Sequence, residues 1–506
     1  LLQQWGDRSP WRELVDEYAG GTFQERHYAE FVTFLPYVQQ FLYGEGRRSR
    51  QDAADSPMRT FRRRDVKAAR FVPRTGDEPI EVAIQHVDLI FFYDVDVVLL
   101  NVELVANELL LEQAQDLLYR FGRAYPSGWL DDGQPMHAMA STEWLGEGGV
   151  VLARSDSANR DDYLAHVSEH RAPRLAAHWA FMLHPLVLDH SDDEGALRVR
   201  QIEYYRMPTM AYLAIDEPQT LPRADFVRLG LVTGSGDSQL PYSDRFLANF
   251  ERRYCYDRFW CEGTLAPYTR YMCCGHALVV VGDARSEFYT CGERGVLAQF
   301  RHQHFLLFLI AHFQKAALLM FSDRLVEALK RLDISDADSV RRFKRAIRGA
   351  FEGFLRFTHR YWFHEVSEQA QVSALFRLCT EHLKIDELYV EVKERIGDMG
   401  EYLDADSLRR QANTVVRLTV VTIVGLIGTT TTGFLGMNLL AEAEAPLSQR
   451  IAWFAAVLFV TLALTVFTMI KSKRLSDFLD ALSDERLSYW QRLRAFATVW
   501  RRGSGD

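Results

Sequence analysis

The chain has 506 residues, 59 Lys and Arg against 68 Asp and Glu for a net charge of −9, and 48% hydrophobic residues. These values exclude a disordered or collagen-like chain, and net acidity argues against general nucleic-acid binding, which needs a basic surface to neutralise phosphate. Six cysteines (Cys255, Cys261, Cys273, Cys274, Cys291 and Cys379) with no CxxC among them are too sparse for a disulfide scaffold. The first five with His276 have the donor chemistry of zinc at an irregular spacing; the plainer reading is buried thiols in a reducing compartment. The N-terminal residues lack a basic region followed by an apolar run, so no signal peptide is expected.

In chain order, the first half reads as mixed α/β and the second as mostly α. The β-branched and aromatic stretch from Ile80 to Leu104 predicts two paired strands turning near Asp94 or Asp96. Leu109 to Phe121 has helical spacing and stops at Gly122. Val199–Tyr204, Met210–Ile215 and Ala277–Val281 read as strands; Asp189–Gly195 and Gly234–Asp237 read as loops. The acids Asp189, Asp192, Asp193 and Glu194 suit either a cation or a solvated loop. Arg47–Arg74, with ten cations against three acids, suits either anionic headgroups or a solvated face.

No proline occurs in the 178 residues between Pro267 and Pro446, which permits long helices. Leu297–Lys330 predicts one of them, and its uncharged centre of thirteen residues, His302–Gln314, is too short to span a bilayer. It reads as a buried helix, with His302, His304 and His312 as core or interface residues. His359 and His364, five apart, do not share a helix face. Helix resumes near Val366, where Val372, Leu375, Cys379 and Leu383 form a narrow packing seam, and Gly397 and Gly400 are expected to interrupt it. Between Glu381 and Asp406 nine acids face three bases, either the solvated side of a stalk or a place where Mg²⁺ bridges neighbouring subunits.

Leu418–Ala441 carries no charge over 24 residues and Ile451–Ile470 none over 20, long enough for two membrane spans. Arg409, Arg410 and Arg417 precede the first; Lys471, Lys473 and Arg474 follow the second; the connection has Arg450 beside Glu442 and Glu444. The positive-inside bias then places both ends in the cytoplasm, in an inner or plasma membrane. The expected organisation is a cytosolic α/β domain (1–295), cytosolic and stalk helices (296–413), a first span (414–438), an outer loop (439–450), a second span (451–470) and a basic cytosolic tail (471–506).

The first span holds six threonines, four glycines and, at its outer end, Gly436-Met437-Asn438, followed by the acidic loop. That tripeptide, in that place, after a long Pro-free helix and before a short acidic loop, resembles the CorA family of divalent-cation channels. The resemblance covers about Val366 to Arg474. It departs from many members at residue 435, Leu in place of Tyr, and at Ile427, where several have Pro. The resemblance implies a homopentamer with an α/β cytosolic domain, long stalk helices and a pore lined by five first spans. It implies for Asn438 a ring of five carboxamides that meets the hydrated ion.

Read inward from Asn438, one face carries Gly433, Thr429, Leu426, Thr422, Leu418 and Val415, near the 3.5-residue repeat of a supercoiled bundle. Gly433, Thr429 and the Gly436-Met437-Asn438 mouth are the candidate selectivity elements; neutral acceptors suit a still-hydrated Mg²⁺. Leu426, Leu418 and Val415 are candidate gate rings closing by dewetting, and Glu442 and Glu444 would gather cations at the mouth. The expectation is a Mg²⁺ channel, with Co²⁺ or Ni²⁺ permeation, requiring no cofactor and no catalysis. The alternatives are a zinc transporter resembling ZntB, and a cytosolic enzyme or binding module anchored by the hairpin. No P-loop, HExxH, GxSxG or dinucleotide fingerprint supports the enzyme reading.

Overall fold

The computed structural model describes residues 9–14, 25–44, 57–195, 197–202, 206–236, 239–333, 336–436, 446–449, 451–453, 455–456, 459–464 and 467. The chain divides into two compact units, Leu1–Ile396 and Gly397–Asp506. The first is mixed α/β, and its helices from Val296 to Ile396 pack with the α/β part in a single unit.

A seven-stranded antiparallel sheet organises the N-terminal part. Its long strand Ile80–Phe92 is joined on one edge by Met58–Arg63 and then Ala68–Val72, and on the other by Val97–Val105. Trp11–Glu13, Ser141–Leu145 and Val151–Arg154 complete it. The turn between the two central strands spans residues 93–96, with Asp96 in the left-handed region at φ 54°, a conformation Asp tolerates better than most residues. One face is apolar: Phe71, Leu89 and Trp144 pack with Trp179 and Met182 of the helix Ala177–Leu183.

The basic stretch before Arg74 is not a free cationic face where it is described. Arg62 pairs with Asp88 at 2.7 Å, Arg63 with Asp65 at 2.7 Å, Arg70 with Glu143 at 3.0 Å and Arg74 with Asp116 at 2.9 Å. Strand pairing and a neighbouring helix bring in most of these partners, so the charge is balanced by tertiary structure.

A second, four-stranded sheet pairs Thr209–Ile215 parallel to Ala277–Asp283, then Thr269–Cys273 and Cys255–Phe259 antiparallel. Every residue of Ala277–Asp283 is buried, as expected of a central strand covered on both faces. The strand anticipated at Val199–Tyr204 is instead the short segment Leu197–Val199, paired with Leu186–Leu188; residues 203–205 lie outside the described residues.

The apolar helix foreseen at Leu297–Lys330 forms from Val296, with a π turn at Phe300–His304 and regular helix over Phe305–Lys330. Phe313 stacks on Phe92 of the long strand at 4.1 Å, and Phe321 meets Phe354 and Phe357 of the helix Ala337–Arg360 at 5.6 and 5.9 Å. The Gln314 amide donates to the carbonyls of Tyr361 and Phe363, which explains a polar residue at the centre of this core.

The seam Val372, Leu375, Cys379 and Leu383 is buried along the helix Ala370–Leu383. The interruption expected at Gly397 and Gly400 is absent: one helix runs unbroken from Ile385 to Gly436. The break falls at Lys384, at φ 56°, because Leu383 and Ile385 on either side are both buried and the chain must turn to bury both. At the exposed position 397 and the half-buried position 400 a glycine costs about 1 kcal/mol of helix propensity, which the surrounding turns absorb.

Candidate functional site

The uncharged part of the helix Ile385–Gly436 has two unlike faces. Val420 and Gly428 are buried, with Val416, Val421 and Val424 half-buried beside them. At Gly428 a Cβ would lie 2.6 Å from Thr461 Cγ2, so glycine is what allows the second uncharged segment to approach here. Thr461 stands ten residues into that segment, counted from Ile451, and Gly428 ten before Asn438, which is the register of a hairpin.

On a 100° helical wheel, the stripe Val415, Leu418, Thr422, Leu426, Thr429 and Gly433 lies on the side opposite this contact. All six positions are exposed, Val415 at 62%, Leu418 at 68% and Leu426 at 67%. Three bulky apolar side chains on one exposed face make an apolar surface stripe among the described residues.

The threonines resolve their own polarity. Thr419 donates to the Val415 carbonyl at 2.9 Å, Thr422 to Leu418 at 2.8 Å, Thr429 to Gly425 at 2.9 Å and Thr432 to Gly428 at 2.9 Å. Each hydroxyl spends its proton on the helix and keeps oxygen lone pairs as acceptors. Thr422 and Thr429 present these on the exposed stripe, a neutral surface of hydrogen-bond acceptors. Gly436 ends the described helix and is exposed. Met437, Asn438, Glu442 and Glu444 lie outside the described residues.

The acidic part of the same helix is solvent-facing. Asp386, Glu387, Glu391, Glu394, Asp398 and Glu401 are all exposed. Lys384 pairs with Glu387 at 3.3 Å and Arg395 with Glu391, while Asp386, Glu394, Asp398 and Glu401 have no ion-pair partner among the described residues.

The other sequence candidates separate by geometry. Cys274 Sγ lies 3.6 Å from His276 Nε2, but Cys261 is exposed elsewhere, and no three His, Cys, Asp or Glu side chains among the described residues hold a common ion position. Cys273 and Cys379 are buried thiols. Burial holds His304 down to about 4 and His312 to about 3, so both are neutral core residues; His302 lies 3.3 Å from Glu30 and is more exposed. The acids at 189–194 are engaged locally: Asp189 with His190, Asp192 with His170, Asp193 with Ser191. What sequence reading passed over is the company they keep. His166 and His170 sit one turn apart beside this loop, a spacing of four that was visible in the chain.

Comparison of the chain with protein-family models, with curated proteins and with solved structures finds no match.

Proposed function

We propose that the chain is a homopentameric divalent-cation channel of the CorA type, with Mg²⁺ as its main ion and a pore lined by the stripe from Val415 to Asn438. The observation that carries this reading is the division of the uncharged helix into a packed face at Val420 and Gly428 and an opposite exposed face of apolar rings and threonine acceptors. A lone hairpin encloses no aqueous path, so that face calls for further copies of the same helix. Five copies would set Leu426, Leu418 and Val415 as successive apolar constrictions that close by dewetting.

A ring of Asn438 carboxamides at the mouth accepts hydrogen bonds from the waters of an arriving ion. Mg²⁺ sheds that shell reluctantly, so recognition through water lets the ion leave again. The acids of Glu442 and Glu444, repeated around the ring, raise the local cation concentration. On the cytosolic side, the unpaired Glu394, Asp398 and Glu401 would repel one another between copies unless Mg²⁺ lies among them, which couples internal Mg²⁺ to closure.

The test is ion flux into liposomes holding only this protein, with Mg²⁺, Zn²⁺ and Co²⁺ in turn. Mg²⁺ flux that disappears in Asn438→Ala while the oligomer stays intact is the expected result. Wild-type flux in that variant would remove the pore reading, and flux of Zn²⁺ alone would replace magnesium with zinc.

A further inference from the structure

The first unit gathers three histidines at one end of the helix Arg160–His170. The rings of His166 and His170 lie 4.4 Å apart between centroids, and His190, from the loop after Leu188, lies 5.6 Å from His166. Two imidazoles that share a zinc ion, each through a bond of about 2.1 Å, hold their centroids about 5 Å apart. The separations of His166 from His170 and from His190 bracket that value.

A carboxylate completes the group: Asp192 Oδ2 is 3.3 Å from His170 Nε2. His166 Nε2 is shut off from solvent and has no hydrogen-bond partner among the described residues, which leaves it open to accept a proton or a metal. The adjacent cation Arg174 is tied to Asp156 at 3.0 Å and Asp162 at 3.3 Å, which offsets its repulsion of an ion.

We propose that His166, His170, His190 and Asp192 form a binding site for a late first-row divalent metal ion, with Zn²⁺ as the best fit. Three imidazoles and one carboxylate match the tetrahedral N and O donors of zinc, whereas Mg²⁺ takes oxygen ligands. As they stand, these side chains do not converge on one point. His190 is turned away, its ring nitrogens 3.1 Å from Asp189 Oδ1 and 3.1 Å from the Pro173 carbonyl. Closing the site requires His190 to leave these two acceptors and rotate towards His166, a movement of one side chain in a surface loop. The site lies in the first unit, on residues separate from the stripe proposed as the pore, and so stands or falls independently of transport.

Zinc stoichiometry and affinity of the purified full chain, measured by competition with a chromophoric chelator, test it. His166→Gln with His170→Gln should remove one equivalent of Zn²⁺ per chain, a loss beyond the roughly 10- to 100-fold weakening that outer-shell changes cause. Excess Mg²⁺ should not displace the ion, and His276→Gln, in the second sheet, should leave this equivalent in place. Asp192→Asn and His190→Gln, both on the exposed loop, should each weaken binding with an unchanged circular dichroism spectrum. Unchanged stoichiometry and affinity in the folded loop variants and in the double variant would overturn the site. Because no step measures flux, that outcome would leave the channel proposal standing.

Discussion

Two helices of this protein share an apolar composition and have opposite surroundings. Val296–Lys330 is the one described helix long and apolar enough to cross a membrane, and its most apolar window is 72% buried. Phe313 and Phe321 in it are enclosed by the long strand and the following helix. The uncharged end of Ile385–Gly436 keeps a single narrow face covered, at Val420 and Gly428, and exposes Val415, Leu418 and Leu426. Hydropathy alone cannot separate these cases; what separates them is how much of each helix the described residues enclose. One helix has its partners within its own unit. The other leaves Val415, Leu418 and Leu426 exposed among the described residues, the face that the channel proposal assigns to further copies.

The comparison breaks first at Phe313. Phe313→Ala opens a cavity among Phe92, Phe41 and Tyr361 and should cost the first unit about 3–5 kcal/mol, read from denaturant unfolding. Leu426→Ala, of similar chemistry, should change the stability of that unit by less than about 0.5 kcal/mol. An equal loss from both would show that the exposed stripe is in fact packed within one chain.

Acid tests the enclosed helix by another route. His304 and His312 are held neutral, with pKa values lowered to about 4 and about 3, while the unfolded chain takes up protons below its ordinary value of about 6.5. The unfolded state therefore binds more protons as pH falls, and each histidine should withdraw about 1.4 kcal/mol of stability per pH unit between about 6.5 and its folded value. Stability of the first unit, followed by melting across that range, should fall with acid, and His312→Gln should flatten the slope. A pH-independent stability from 6.5 to 5 would mean that these rings reach solvent.

A smaller effect is expected on the sparsely packed helix. Gly428→Leu drives a side chain into Thr461 and should cost about 1–3 kcal/mol of hairpin packing, seen as lost protection of Thr461→Cys from thiol reagents in detergent. Gly425→Ala, three residues earlier, meets nothing within 4 Å and should leave that protection intact. Equal sensitivity at both positions would place the hairpin contact on a different face.

Much of this architecture was legible because it rests on local periodicity. The strand pair across Asp94 and Asp96, the helices of the Pro-free stretch and the seam ending at Leu383 follow from alternation, helical spacing and the absence of a breaker. The candidate stripe was legible for the same reason, as a repeat near 3.5 residues. Gly397 and Gly400 misled because glycine is only a weak breaker where no contact demands a turn. Lys384 breaks the helix without any local signal, because its neighbours are pulled into the core.

By itself, the sequence determined the strand pair around Asp94 and Asp96, the helix before Gly122, the long helices of the Pro-free stretch, the two uncharged segments and the charge bias at their ends, since each depends on residues near one another in the chain. Tertiary structure alone decided which apolar helix is enclosed, which arginines between Met58 and Arg74 are neutralised, and that His190 comes to lie beside His166 and His170. Each of these joins groups far apart in the chain: Arg62 meets Asp88 across paired strands, Arg74 meets Asp116 from a separate helix, and His190 reaches His166 through the return of a loop. Such pairings depend on where the backbone folds back, and no local pattern of residues encodes that distance.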